Sequence, residues 1–310
     1  MNKALPLVSV IIPNYNHARF LDQRLQSVLN QTYRNIEVII LDDCSTDNSL
    51  EVIEKYRSDA RIADVIVNEK NSGNTFLQWD KGIHLAQGEL VWIAESDDYC
   101  ELNMLEELVK AYYKKRGTVL AYSTSEYVGE SGERLFHPSP INKNKYCKSA
   151  CYIRRYLSLG CQVGNASSAI FSREAGLRVS NDYITIHAAG DYLFWVEIAC
   201  QGNIAIVNKN LNKFRRHSGT VTDKKTLDGS NLRAEMDIFR RMKDVVHFSF
   251  SRNKLAHAYR IYEIHHIRFE TPEIKNELLG IWEEKRYYDK VGRFMVRVVN
   301  SLRKRYSFYI

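Results

Sequence analysis

Hydrophobic runs and helix-period stretches alternate through the first 125 residues, one strand and one helix to about every 25 to 30 residues. That rhythm constrains the fold more than any other feature. Leu7–Pro13 is a β-branched run, and Arg19–Gln31 carries Phe20, Leu21, Leu25, Val28 and Leu29 at helical spacing. Ile36–Leu41, Val65–Val67 and Leu90–Ala94 follow as predicted strands, with helices predicted at Ser45–Tyr56, Thr75–Ala86 and Asn103–Tyr113. Such alternation predicts an α/β fold, a mostly parallel sheet covered by helices on both faces through right-handed crossovers. Open sheets of this kind bind ligands at the carboxyl ends of their strands.

The strand ends here carry chemistry. Leu90–Ala94 stops at Glu95, Ser96, Asp97 and Asp98. Carboxylates are too costly for the interior of a buried strand, so they belong at its end. Adjacent strand side chains point to opposite faces, and a turn is needed for Asp97 and Asp98 to reach one ligand. Hard oxygen donors suit Mg²⁺ or Mn²⁺, which typically binds through one or two carboxylates and substrate phosphates; a solvated acidic turn is the alternative. The first strand ends in Pro13-Asn14-Tyr15-Asn16 and the second in Asp42-Asp43-Cys44-Ser45-Thr46-Asp47. An aromatic ring beside a carboxylate can hold a nucleobase by stacking and by accepting an N–H. Ser45–Asp47 also fit the N-terminus of the next helix, which leaves Asp42 unexplained.

After Thr118 the rhythm changes. Val119–Val128 and Leu135-Phe136 read as a hairpin, residues 137–148 as a mobile loop, and Tyr152–Leu159 as a helix. Ser167–Ser172 and Ile204–Val207 read as strands around a helix at about 190–200, and from about 224 the pattern is helical. We expect a domain over 1–222 and a basic helical extension over 223–310. Residues 1–98 have net charge −6 and residues 99–310 net +13, which suggests contact with something anionic. The six cysteines form no CxxC pair and no zinc set. With no signal-peptide pattern and no long apolar stretch, reduced thiols in a cytoplasmic protein are expected.

Four stretches, VSVIIPNYN, NQTYRNIEVIILDDCSTDNS, NSGNTFLQWDKGIHLAQGE and LVWIAESDD, resemble in order and spacing the family 2 glycosyltransferases of GT-A fold. The resemblance covers residues 7 to about 220. It implies inverting transfer of a sugar from a nucleoside-diphosphate donor, commonly UDP-linked, with Mn²⁺ or Mg²⁺. By that resemblance Pro13 and Tyr15 line the base pocket, and Asp42 accepts the uracil N3–H. Asn71 and Gly73 belong to a nucleotide-contacting loop, Asp97 reaches the ribose or donor sugar, and Asp98 ligates the metal. Asp191 matches the second position of the family's Glu-Asp motif, the base that deprotonates the acceptor; a helix cap is the alternative. His217, in Arg215-Arg216-His217-Ser218-Gly219, matches the closing motif near metal and diphosphate, and Arg215 and Arg216 would neutralise phosphate as forked donors.

Five residues depart from the pattern. Glu95 stands where Asp is common, and Gly190 replaces the Glu before the base. Trp79-Asp80 replaces a frequent Arg-Asn pair. Cys44 replaces Gly, so its turn should not need positive φ. A nucleotidyltransferase would show a Gly/Arg/Lys-rich phosphate loop after the first strand, and a non-catalytic sugar-nucleotide-binding subunit would not need Asp98 and Asp191. No RNP-type motif or zinc knuckle supports nucleic acid. The acceptor implied by the family is a saccharide or lipid-linked saccharide of a surface polysaccharide. Residues 285–310 hold eight Lys/Arg and one acid, with Phe294, Val298 and Leu302 at four-residue spacing. That pattern is an amphipathic helix, able to lie on an anionic membrane or to pack on the catalytic domain.

Overall fold

Alternate residues of the first strands go to opposite layers, and this places the sheet in the middle of the molecule. Val8, Val10 and Ile12 enter one core, whereas Ile11 enters the other; Val38 and Ile40 divide from Ile39 and Leu41 in the same way. The computed structural model describes residues 5–137, 143–186, 188–216 and 226–306, the side chains of 302–306 excepted. In its first part β1 (Val8–Asn14), α1 (Ala18–Leu29), β2 (Ile36–Asp42), α2 (Ser49–Glu54), β3 (Ile62–Val67), α3 (Thr75–Leu85), β4 (Leu90–Ile93) and α4 (Met104–Lys114) alternate as expected, with a two-residue β5 (Tyr99–Cys100) before α4. β1 pairs in parallel with β2 and β4, and β2 with β3. Helices α1, α2 and α4 cover one face and α3 the other.

The second part completes the same sheet in the order β3-β2-β1-β4-β9-β6-β10-β5. β6 (Thr118–Val128) forms the expected hairpin with β7 (Arg134–Phe136). β9 (Ala169–Ser172) runs antiparallel between β4 and β6, and β10 (Asn203–Arg215) parallel beside β6. Two readings need correction. Within the expected loop 137–148, Lys145–Cys147 form β8, an edge strand antiparallel to β10; residues 138–142 lie outside the described residues. Cys44 adopts φ +63, so the turn after β2 is left-handed without glycine. Ser45 N–H donating to Asp42 Oδ1 (2.8 Å) accompanies that turn.

Helices α5 (Ser149–Arg155), α6 (Arg173–Leu177), α7 (Asp182–Thr185) and α8 (Gly190–Cys200) follow. Five more end the described chain: α9 (Ser230–Val245), α10 (Phe250–His266), α11 (Pro272–Ile281), α12 (Glu284–Tyr287) and α13 (Lys290–Tyr306). Leu232, Met236, Phe239 and Trp282 from this extension share one continuous core with Leu157, Tyr192 and Trp195. Among the described residues no helix is long and apolar enough to cross a membrane.

Candidate active site

The loops after β1 and β2 are laced together by side chains. Asp42 is fully buried: Oδ2 accepts from Asn14 Nδ2 (2.7 Å) and Ser45 Oγ (2.7 Å), while Oδ1 takes the Ser45 N–H. Asp43, beneath the neighbouring loop, accepts from Asn68, Ser72 and Gln78. Pro13 lies inside β1, and Tyr15, just past its end, is 43 % exposed. Asn71 and Gly73 stand in the loop before α3, where Asn71 Oδ1 accepts the Gly73 N–H (2.5 Å). Beside Asp42 the buried Asn14 Oδ1 has no hydrogen-bond partner among the described residues.

The acids after β4 divide by burial. Asp98 is enclosed, its Oδ2 accepting from Ser167 Oγ (2.7 Å) and its Oδ1 from the Arg215 N–H (2.9 Å), with Arg24 Nη2 3.8 Å away. Burial and then the Asp97 charge push its pKa up, against Arg24 and these hydrogen bonds. Asp97 is half-buried. Glu95 takes a hydrogen bond from Trp79 Nε1 (2.8 Å), yet burial, and then the charge of Asp97, push its pKa up to about 8. Glu95 and Asp97 are the hard oxygen donors of this turn that could serve as ligands to a divalent cation. Among the described residues there is no group of three His, Cys, Asp or Glu placed to hold a metal, and His217 lies outside them.

Arg215 is buried and occupied. Its Nε donates to Asp97 O (2.8 Å), Nη1 to Glu130 O (2.7 Å) and Nη2 to Gln23 Oε1 (2.7 Å), and it stacks over Phe20 at 4.5 Å. This differs from the expected phosphate contact, because those donors are spent inside the protein. Its neighbour Arg216 instead lines a cleft of about 500 Å³, 5.7 Å over the Phe214 ring.

That cleft gathers residues distant in sequence: Gly73 and Asn74 before α3, Trp79, Glu95, Asn165, Asp191 and Arg216. Asn74 holds the start of α3, accepting from Phe76 N–H (3.0 Å) and donating to Ile184 O (2.8 Å). Asp191 sits in the first turn of α8, where a carboxylate is favoured by the helix dipole. Gly190 before it has no room for a side chain. A Cβ there would lie 2.2 Å from Tyr183 O and 2.5 Å from the Phe76 ring, so the Glu of the resembled motif cannot be accommodated in this packing.

The cleft thus holds Gly73, Asp191 and Arg216 of the expected residues, whereas Pro13, Tyr15 and Asp42 mark the adjoining strand ends and both Asp98 oxygens accept hydrogen bonds from the protein. Sequence reasoning missed Arg24, Tyr127, Asn165 and Phe214. For Arg24 a signal existed: a charge at i+4 from Phe20 and i−4 from Val28, on the apolar face of α1.

Residues 9–175 match the model of the Glycosyl transferase family 2. The glycosyltransferase GlyG of Streptococcus pneumoniae serotype 4 is 27% identical over 223 residues, covering 69% of this chain and 72% of GlyG. The chondroitin synthase of Pasteurella multocida is 35% identical over 132 residues, 42% of this chain but 13% of that enzyme. Among solved structures, S. aureus TarS 1-349 superposes with TM-score 0.67 at 18% identity, covering 98% of this chain and 93% of that one. TarS 1-349 in complex with UDP-GlcNAc gives 0.66 at the same identity, over 89% and 80%. These two likenesses speak for the fold.

Proposed function

The chain belongs to glycosyltransferase family 2, and we propose that it inverts the anomeric centre of a UDP-linked sugar while transferring it to a saccharide or lipid-linked saccharide. The observation that carries this reading is the meeting, in one cleft, of Asp191 at a helix start with Glu95 and Arg216 at two strand ends. UDP is the first donor to test because TarS is described in complex with UDP-GlcNAc.

In the proposed step an acceptor hydroxyl attacks the anomeric carbon from the side opposite the diphosphate. The new C–O bond forms as the bond to the diphosphate oxygen breaks, and the hydroxyl proton passes to a carboxylate oxygen of Asp191. General-base help of this kind contributes roughly 10²- to 10⁴-fold. Arg216 counters charge on the leaving diphosphate, and the Trp79–Glu95 pair walls the sugar end. Tyr15 and Pro13 flank the base, with Asn14 Oδ1 and Asp42 as acceptors for its N–H. Mn²⁺ or Mg²⁺ would be held by Asp97 with Glu95, and by His217 as the motif resemblance implies, and would neutralise growing diphosphate charge. Asp98, first expected as the metal ligand, is given an anchoring role in this reading.

A screen of UDP-, GDP- and dTDP-sugars for divalent-metal-dependent release of nucleoside diphosphate tests the reading. We expect UDP release, with Asp191→Asn slower by roughly 10²- to 10⁴-fold at unchanged donor affinity. Loss of donor affinity with an unchanged catalytic step would make Asp191 a capping or binding residue, and full activity in EDTA would remove the metal.

A further inference from the structure

Helix α13 carries two apolar stripes, and among the described side chains one is used inside the protein and the other is exposed. Val296 and Val299 are buried, and Gly292 packs so closely on α10 that an added Cβ would stand 3.2 Å from Ala258 Cβ. The second stripe points away: Val291, Phe294 and Val298 are 56 %, 64 % and 41 % exposed. Lys290, Arg293 and Arg297, also exposed, run along one side of it. Asp289, the acid at the start of this helix, is held by Lys254 of α10 at 2.6 Å. At i, i+4 and i+8, Phe250, Lys254 and Ala258 share a face of α10, so Phe250, 71 % exposed, stands one turn before α13 begins to cover that face. Beside it a shallow pocket is bordered by Lys243, His247, Glu283 and Arg286.

We propose that the outer face of α13 seats this chain on the surface of an anionic lipid bilayer. The Phe/Val stripe enters the headgroup–acyl boundary, and Lys290, Arg293 and Arg297 meet the lipid phosphates, as amphipathic surface helices do. Charge selects this occupant. A second copy docked by a two-fold axis would set these basic residues against themselves. A nucleic acid would satisfy the cations and leave the apolar stripe in water. The proposal does not depend on the transferase reading, since a membrane seat needs no turnover.

The test is flotation of the chain with phosphatidylcholine vesicles, with and without phosphatidylglycerol. Binding is expected only to the anionic vesicles and to weaken as salt rises. Lys290→Ser with Arg297→Ser, and separately Phe294→Ser, should each lower the bound fraction on the order of ten-fold with the melting temperature unchanged. Donor-nucleotide binding, measured in parallel, reports on the cleft and distinguishes failure there from failure of the membrane seat. Three results would overturn the proposal: no flotation at low salt, flotation indifferent to Phe294→Ser, or a dimer in light scattering that Phe294→Ser dissociates.

Discussion

Arg24 shows how a single buried charge positions this site. Its Nε donates to Glu95 O (2.8 Å), its Nη2 donates to Ser167 Oγ (3.1 Å), and the same group faces Asp98. One side chain from α1 thereby fixes the turn after β4 and, through Ser167, the start of β9. A buried ion pair is weak evidence for net stability, but breaking one strands a charge and costs about 3–5 kcal/mol. Arg24→Ala should therefore lower the unfolding free energy by about that amount, and adding Asp98→Asn should restore part of it, in a double-mutant cycle followed by urea denaturation. A cost below about 1 kcal/mol would show that the turn is held by other contacts. At this scale the residue types of the site were legible, and the hydrogen-bond partners within the protein were not. Asp42, Asp98 and Arg215 are read readily from sequence as ligand-facing, yet each is wrapped by protein donors or acceptors that come from elsewhere in the chain. A motif names a group but not the partners that the fold will bring to it.

At the level of elements, local signals sufficed where one strand or helix stands alone in its period, and failed where pairing decides. β1, β2 and β4 are buried apolar runs, visible without partners. β10 continues through Asn208, Lys209, Asn210 and Asn212, and is held there by parallel bonding to β6 across register shifts; β5 and β8 are short edge strands beside it. Polar edges carry little hydrophobic period, so only the Ile204–Val207 part of β10 was foreseen. The caps were legible in part. Asp47 Oδ1 accepts from Ser49 N–H (3.0 Å) at the start of α2, and its Oδ2 accepts from Ala18 N–H (2.9 Å) at the start of α1. Burial works against the charged form, but these bonds and the Ser49 hydroxyl hold the Asp47 pKa below its usual value. A depressed folded-state value gives stability that is full above about pH 4 and is lost as pH falls through the lowered value. Asp47→Ala should cost about 1 kcal/mol at pH 7, and the difference from the parent should shrink in acid. Equal urea midpoints at pH 7 would contradict the double cap.

For the whole molecule, the decisive question is whether the helices after β10 are an appendage or part of the catalytic body. Composition divides the chain, with its basic half and its late helical pattern, and suggests a boundary near 222. Packing joins it. α9 packs on α8, the helix that carries Asp191, and α10 packs on the turn at Leu157–Leu159. The fully enclosed Arg260 of α10 pairs with Glu235 of α9 at 2.7 Å and also with Glu263. Burial raises the pKa of Glu235 to about 7, with Arg260 opposing and Glu263 and Asp191 adding to the rise, so the charges of the extension and of the proposed base sense each other. Removing residues 223–310 would uncover Leu157, Leu159, Tyr192 and Leu193, all now buried against the shared core. Each large apolar side chain returned to water forfeits about 1.5–3 kcal/mol, and a domain holds only about 5–15 kcal/mol in total. A handful of such exposures is enough to unfold the remainder. The 1–222 fragment should therefore fail to give a cooperative thermal transition and should lose donor binding, while the full chain melts as one unit. A fragment that melts cooperatively and binds UDP would show two independent domains, with the basic helices docked on a catalytic unit that does not need them.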